Sequence, residues 1–421
     1  MKRALAVIAF ATLATSVRAE SDPTYDLDGY LAAVGHSNLS LAAQKYNVSI
    51  AQAQIGVAKL FPEPQVTGGL TSFDITRSGS PTAVDVGVSH TFELGGKRDN
   101  RIAVAERAVV GAKDDLDDFL RTLRGAAADA FVDALAAQLV MNSKQRTLDS
   151  LTKLVEKNED RHRAGDIGEL PVTQARVEAG RFRGDLLLAQ GDVRNTELAL
   201  GLLAGIADPI TPKGDLKIAA RTFDAATLIA AAKSHRPDLL SLRAAVDEAR
   251  AKQDLAVSNR RIDLTIGLGW AHSFEAFGQY ATIAPTPSTN TISASVSVPI
   301  PIARQKYRGE LDAAIAAQGQ AEAQLHATEL KVEIEIKQAL AKYQATVDRL
   351  KLYTGGILTD SDKALNDTTY NYTRGGATLL EVIEAQRTVD DVYLAYYQAL
   401  ADHAHALVAV ELAAGIWDVK L

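Results

Sequence analysis

The chain is 421 residues long, with 45 Lys+Arg against 52 Asp+Glu, a formal net charge of -7 and 47% apolar residues. That apolar share excludes wholesale disorder, and the acidic balance argues against nucleic acid, whose phosphates need a basic face. The absence of Cys removes disulfides, thiolate metal sites, cysteine nucleophiles and a lipid-modified N-terminal Cys together.

The chain opens with a basic start, Lys2 and Arg3, an apolar run from Ala4 to Val17 and a small-x-small pattern at Val17-Arg18-Ala19. These features predict a secretory signal over residues 1–19. The run is too short to span a bilayer comfortably, and no later stretch offers the roughly 18 consecutive apolar residues of a transmembrane helix. Contact with a membrane would have to be made by β-strands.

The remaining sequence is written twice. His36-Ser37-Asn38-Leu39 returns as His235-Arg236-Pro237-Asp238-Leu239, and Arg163-Ala164-Gly165 through Gln174-Ala175-Arg176 returns as Arg374-Gly375-Gly376 through Ala385-Gln386-Arg387. Both halves close alike, on Glu197-Leu198-Ala199 and Glu411-Leu412-Ala413. A tandem duplication of a unit of about 200 residues explains the spacing, with units at 20–210 and 211–421.

Within each unit the pattern runs short helix, helix, strand, loop, strand, very long helix, turn, long helix. Strands are expected at about 64–76, 83–92, 263–274 and 290–300. In the last, Ile292, Ala294, Val296, Val298 and Ile300 alternate with Thr291, Ser293, Ser295, Ser297 and Pro299, which gives one apolar face and one largely hydroxyl face. Strands of about ten residues suit a tilted transmembrane β-strand, although a soluble sheet packed on a helix would read the same way.

The helices separate these two readings. From Arg98 to about Arg161 and from Arg304 to about Tyr370 there is no Pro and little Gly. At about 1.5 Å per residue each would reach roughly 100 Å, a length that suggests coiled-coil packing. The Ala-rich stretch Ala313–Ala327 permits close approach of a neighbouring helix but leaves a shallow core. Four strands do not close a barrel, and open edges are not tolerated in lipid. Several protomers must then share one barrel.

With these features the chain resembles the TolC family of outer-membrane efflux ducts, over nearly all of the mature sequence. The carrying residues are Val88-Ser89-His90-Thr91-Phe92-Glu93-Leu94-Gly95-Gly96-Lys97-Arg98 and the counterpart Val296-Ser297-Val298-Pro299-Ile300-Pro301. The Phe-Glu-Leu-Gly-Gly-Lys-Arg segment is most similar to the cobalt–zinc–cadmium, heavy-metal efflux branch. The resemblance implies a mainly α fold with β, in which the duplicated helix–strand–strand–helix–helix unit forms a homotrimer. Twelve strands would make one barrel in outer-membrane lipid, continuous with a long periplasmic α-helical barrel. The implied partners are a periplasmic adaptor protein and an inner-membrane pump of the resistance-nodulation-division type. No cofactor is implied.

The resemblance also assigns positions. Arg163, Gly165 and Gly168 in the first half, and Arg374, Gly375 and Gly376 in the second, fall where each long helix reverses. Gly tolerates the left-handed backbone of such turns, and the family places these tips against the adaptor. Glu381 and Glu384 follow the second tip at a spacing of three, which puts both carboxylates on one helix face. In the family pattern these positions line the narrow periplasmic entrance, and Tyr372 matches a gating tyrosine. Glu stands here where Asp is familiar. Segments 77–82 and 275–290, rich in Ser, Pro, Thr and Gly, would be extracellular.

No catalytic constellation emerges. His403 and His405, two apart on a helix, make a poor metal pair, and Asp114, Asp115, Asp117 and Asp118 read as a solvated helix face rather than a calcium loop. A periplasmic adaptor would carry one helical hairpin, not a duplicated unit, and a secreted hydrolase would need paired acids or a zinc site. A multidrug or type I secretion channel of the same fold differs only in cargo.

Overall fold

The computed structural model describes residues 23–72, 82–274, 287–300 and 304–419. The expected signal segment, the first strand beyond Ser72 and most of the two expected outer loops lie outside the described residues.

The chain begins with β1 (Thr24–Tyr25), α1 (Leu27–Ser37), α2 (Leu39–Ala58), β2 (Gln65–Ser72) and β3 (Thr82–Phe92). Two long helices follow, α3 (Lys97–Arg163) and α4 (Glu169–Leu203). After β4 (Thr211–Pro212) the same order returns as α5 (Ala225–His235), α6 (Pro237–Ser258), β5 (Leu264–Ser273), β6 (Thr289–Ser297), α7 (Arg304–Leu352), α8 (Leu358–Thr373) and α9 (Leu379–Ala414). No helix is long and apolar enough to cross a membrane among the described residues.

Two elements depart from the sequence reading. β6 stops at Ser297 rather than Ile300, because Pro299 has no N–H to donate to a ladder. The second long helix is not continuous: a π-helical turn over Tyr353–Ile357 separates α7 from α8, and Gly356 leaves helical geometry there (φ 158°, ψ -33°). Paired glycines weaken a helix enough for the hydrogen-bond ladder to slip. At the corresponding level α3 runs unbroken for 67 residues.

The four long strands form one antiparallel sheet in the order β2-β3-β5-β6. Val86 stands opposite Trp270 and Trp270 opposite Ile292, so one face carries an apolar row across the strands. This face is bare: Val66, Leu70, Leu268, Ile292 and Val296 are all well exposed, Ile292 at 83%. The other face is small and hydroxylic, with Thr67, Ser89, Ser293 and Ser295 between Gly87, Gly267 and Gly269, and with Asp85. Among the described residues the sheet ends in two unpaired edges, β2 and β6.

The Phe-Glu-Leu-Gly-Gly-Lys-Arg segment turns this sheet into the helical body. Gly95 and Gly96 take left-handed φ of 78° and 75°, and a Cβ on Gly95 would lie 2.3 Å from Arg261 Cγ. Around that turn Arg101 donates to both oxygens of Glu93, at 2.7 and 3.1 Å, and Lys97 Nζ donates to Asp263 at 2.8 Å. The main core lies further along α3, where Ala127, Ala128, Phe131 and Leu135 meet Tyr30 of α1 and Tyr396, Leu400 and Ala404 of α9. A smaller apolar cluster sits at the far end, around Leu379, Val382 and Ile383.

Candidate channel entrance at the helix tips

Both hairpins reverse by the same device. In the first, Gly165 (φ 82°) follows α3, with Gly165 N–H donating to His162 O at 3.0 Å and Asp166 N–H to Arg161 O at 2.9 Å. In the second, Gly375 (φ 78°) follows α8, with Gly375 N–H donating to Tyr372 O at 3.1 Å and Gly376 N–H to Asn371 O at 2.8 Å. These paired bonds close the orphan carbonyls of a helix end around one left-handed residue. Gly165 and Gly375 are therefore the conformationally required glycines. Gly168 (φ -73°) precedes α4 with extended backbone, and Gly376 is not among the described positive-φ residues.

The arginines of the two turns stay at the surface. Arg163 pairs with Asp160 one turn back, and the Arg374 guanidinium lies 4.3 Å from the Tyr370 ring centroid.

Thr378 starts α9 with a reciprocal cap. Its backbone N–H donates to Glu381 Oε2 at 2.6 Å, and Glu381 N–H donates to Thr378 Oγ1 at 3.3 Å. The hydrogen bond from the Thr378 backbone, joined by one from its hydroxyl, holds the Glu381 carboxyl below the usual range. Glu384 follows one turn on. Leu380, Glu381, Glu384 and Thr388 lie exposed on one face of α9, while Leu379, Val382, Ile383 and Gln386 are buried on the other. The two carboxylates thus share an outward face.

Tyr372 points the other way. It is buried, and its hydroxyl donates to Asn158 Oδ1 of α3 at 2.8 Å, while the Arg161 guanidinium lies 5.2 Å from its ring. Burial raises its phenol pKa. The structure therefore brings Glu381 and Glu384 together and sets Tyr372 apart from them, as a tie between the second tip and α3. Three further ties along the same seam were not singled out in the sequence. Arg387 donates to both oxygens of Glu178 on α4, at 2.9 and 2.7 Å. Lys144 donates to the buried Asp390 at 2.7 Å, and Ser150 donates to Gln386 at 3.3 Å. Alternating charge on facing helices was the available signal, but their pairing across more than 200 positions was not.

The histidines of α9 serve packing and pairing. His403 is buried against the Tyr343 ring at 5.0 Å, and burial lowers its pKa. His405 lies between Asp129 and Asp133 of α3, at 2.7 and 2.9 Å, and these hydrogen bonds push its pKa up to about 9. The acidic run on α3 is partly engaged, with Asp118 on Arg121 and Asp115 accepting from Ser241 of α6. Among the described residues no group of three or more His, Asp or Glu is arranged to hold a metal ion.

Residues 31–206 and 228–416 each match the family described as outer membrane efflux protein. The cobalt-zinc-cadmium resistance protein CzcC of Cupriavidus metallidurans is 25% identical over 392 residues, covering 91% of this chain and 88% of that protein. Among solved structures, CusC superposes with a TM-score of 0.76 at 17% identity, covering 93% of this chain and 92% of CusC. The CmeC outer membrane channel of Campylobacter jejuni superposes with a TM-score of 0.73 at 15% identity, covering 92% of this chain and 85% of CmeC.

Proposed function

Because the chain belongs to the outer membrane efflux protein family, we propose that three copies form one duct through the outer membrane and across the periplasm. The observation that carries this reading is the sheet itself. It is bare and apolar on one face, hydroxylic on the other and open at both edges. Lipid on the first face, water on the second and a neighbouring chain at each edge would satisfy all three demands at once. Aromatic contacts mark both ends of the apolar face, Trp270–His272–Phe274 at one and His90–Phe92 at the other, in keeping with interfacial girdles.

The helical tips would form the periplasmic entrance and meet an adaptor, which in turn engages an inner-membrane pump. Arg163, Gly165, Gly168, Arg374, Gly375 and Gly376 are the proposed adaptor contacts. Tyr372 acts as the tie that holds the tip inward. Glu381 and Glu384 of three chains form carboxylate rings that favour cations in a narrow neck. Similarity to a cobalt-zinc-cadmium resistance protein supports heavy-metal cations as the cargo. Cargo passes through water and is not stored.

Planar-bilayer conductance tests the entrance. The wild-type channel should prefer cations, and Glu381→Gln with Glu384→Gln should lower that preference while assembly is unchanged. Unchanged selectivity would place both carboxylates on an outer face. For the cargo, loss of the gene should sensitise cells to cobalt, zinc or cadmium. Sensitivity to organic compounds alone would assign the chain to multidrug export.

A further inference from the structure

Between α3, α8 and α9, just above the second tip, lies a cleft of about 400 Å³. Its α3 wall presents Lys153, Lys157 and Arg161, spaced one turn apart on a single helix face. Among the described residues neither lysine pairs with a carboxylate, and Asp160, the one acid lining the cleft, is taken up by Arg163. In a chain of net charge -7, this is a local excess of positive charge.

A second observation is independent of charge. Asn158 is 0% exposed and accepts at Oδ1 from the Tyr372 hydroxyl, yet its Nδ2 has no hydrogen-bond partner. The buried Nη1 of Arg161, beside it, has none either. Buried donors without acceptors are costly, and two on one cleft wall call for an acceptor from outside the chain. Leu154 and Val382 give the same cleft an apolar side.

We propose that this cleft binds a small organic anion, an oxyanion head on a short apolar body. The head accepts from Asn158 Nδ2 and Arg161 Nη1 and lies within the field of Lys153 and Lys157; the body rests on Leu154 and Val382. Such a ligand joins α3 to the α8–α9 turn at the Tyr372–Asn158 tie. Occupancy therefore holds the tip inward and disfavours opening, a consequence that rests on the duct reading above.

Titration calorimetry on the full chain in mild detergent, with phenyl phosphate as the probe, tests the site. One saturable site per chain is expected. Lys153→Gln with Lys157→Gln should weaken it at least about tenfold, because two positive charges of the field that holds the oxyanion are lost. Lys153→Arg with Lys157→Arg should restore it. Benzyl alcohol, which has the body without the charge, should not compete, and inorganic phosphate should bind more weakly than phenyl phosphate. Absent binding, or binding indifferent to the Gln pair, overturns the site. Equal binding of inorganic phosphate overturns its apolar half. In planar bilayers phenyl phosphate should lengthen closed dwell times in wild type and not in the Gln pair; binding with unaltered gating overturns the regulatory role. A channel that conducts but does not bind the probe overturns this inference alone, whereas a protein that binds it but never conducts overturns the duct.

Discussion

Arg176 and Arg387 occupy matching places after the two tips, yet they reach in different directions. Arg176 pairs at 2.6 Å with Glu159 of its own hairpin, whereas Arg387 crosses to Glu178 of the other hairpin. The helices that carry them differ in the same sense. Along α4, Leu170, Val177, Leu187, Leu188 and Leu202 are exposed, Leu202 at 78%. Along α9, Leu400, Leu407, Val408 and Val410 are buried, and α9 contributes to the main core, to the far-end cluster and to a further one in which Leu407 and Val410 meet Val332 and Ile336 of α7. The two hairpins are similar in order of elements, but packing buries α9 in the interior of the chain and leaves α4 with an exposed apolar stripe. The long helices follow suit: α3 runs unbroken, while its counterpart is split by the π-helical turn at Gly355 and Gly356. One hairpin of the chain is thus plain, and the other is interrupted at the glycine pair and tied to α3 through Tyr372.

The largest contrast should come from truncating a leucine on each helix. Leu407→Ala, in the buried seam of α9, should cost about 2–5 kcal/mol of stability through the cavity it leaves. Leu202→Ala on α4 should leave the stability of the single chain nearly unchanged and weaken only association of copies. Denaturant midpoints and light scattering on both variants read the two effects, and equal destabilisation would erase the distinction between the hairpins.

The arginines sharpen the comparison at smaller scale. Arg387→Ala leaves the buried Glu178 carboxylate, which the Arg387 hydrogen bonds hold below its usual range, with only the Arg181 contact at 3.2 Å, and should cost about 1–3 kcal/mol after allowance for a half-exposed guanidinium. Arg176→Ala breaks an exposed pair and should cost less than about 1 kcal/mol. Chemical denaturation of the two variants checks the order, and a larger loss at Arg176 would reverse it.

His405 offers the smallest and most specific test. Asp129 and Asp133 raise its pKa from 6.5 to about 9, so its ion pairs contribute fully below pH 6.5 and are lost as pH rises through about 9. Melting temperature should therefore fall between pH 7 and pH 10 in wild type, and the fall should be smaller in His405→Gln. Parallel pH profiles for wild type and His405→Gln would show that the histidine does not charge in the fold.

Much of this was legible beforehand because the signals are local. Alternation in Thr291–Ser297 announced a strand, the Gly165 and Gly375 turns announced the reversals, and the Glu381–Glu384 spacing announced a shared face that the structure preserves. The break at Gly355 and Gly356 was not legible, since two residues scarcely alter the pattern of a 67-residue stretch. Nor was the inward aim of Tyr372, whose partner Asn158 lies 214 residues away in the chain. The unequal burial of α4 and α9 escaped for a deeper reason. α9 is the more apolar of the two, but α4 carries apolar residues as well, and only tertiary contacts decide which of them its own chain covers.

In the proposed duct, two further copies of the chain complete the bare face and open edges of the sheet and the apolar stripe of α4. Multi-angle light scattering of the full chain in mild detergent, corrected for bound detergent, measures this directly. The expected result is a stable particle of three chains. A monomer that keeps its folded helical content at micromolar concentration would contradict the account.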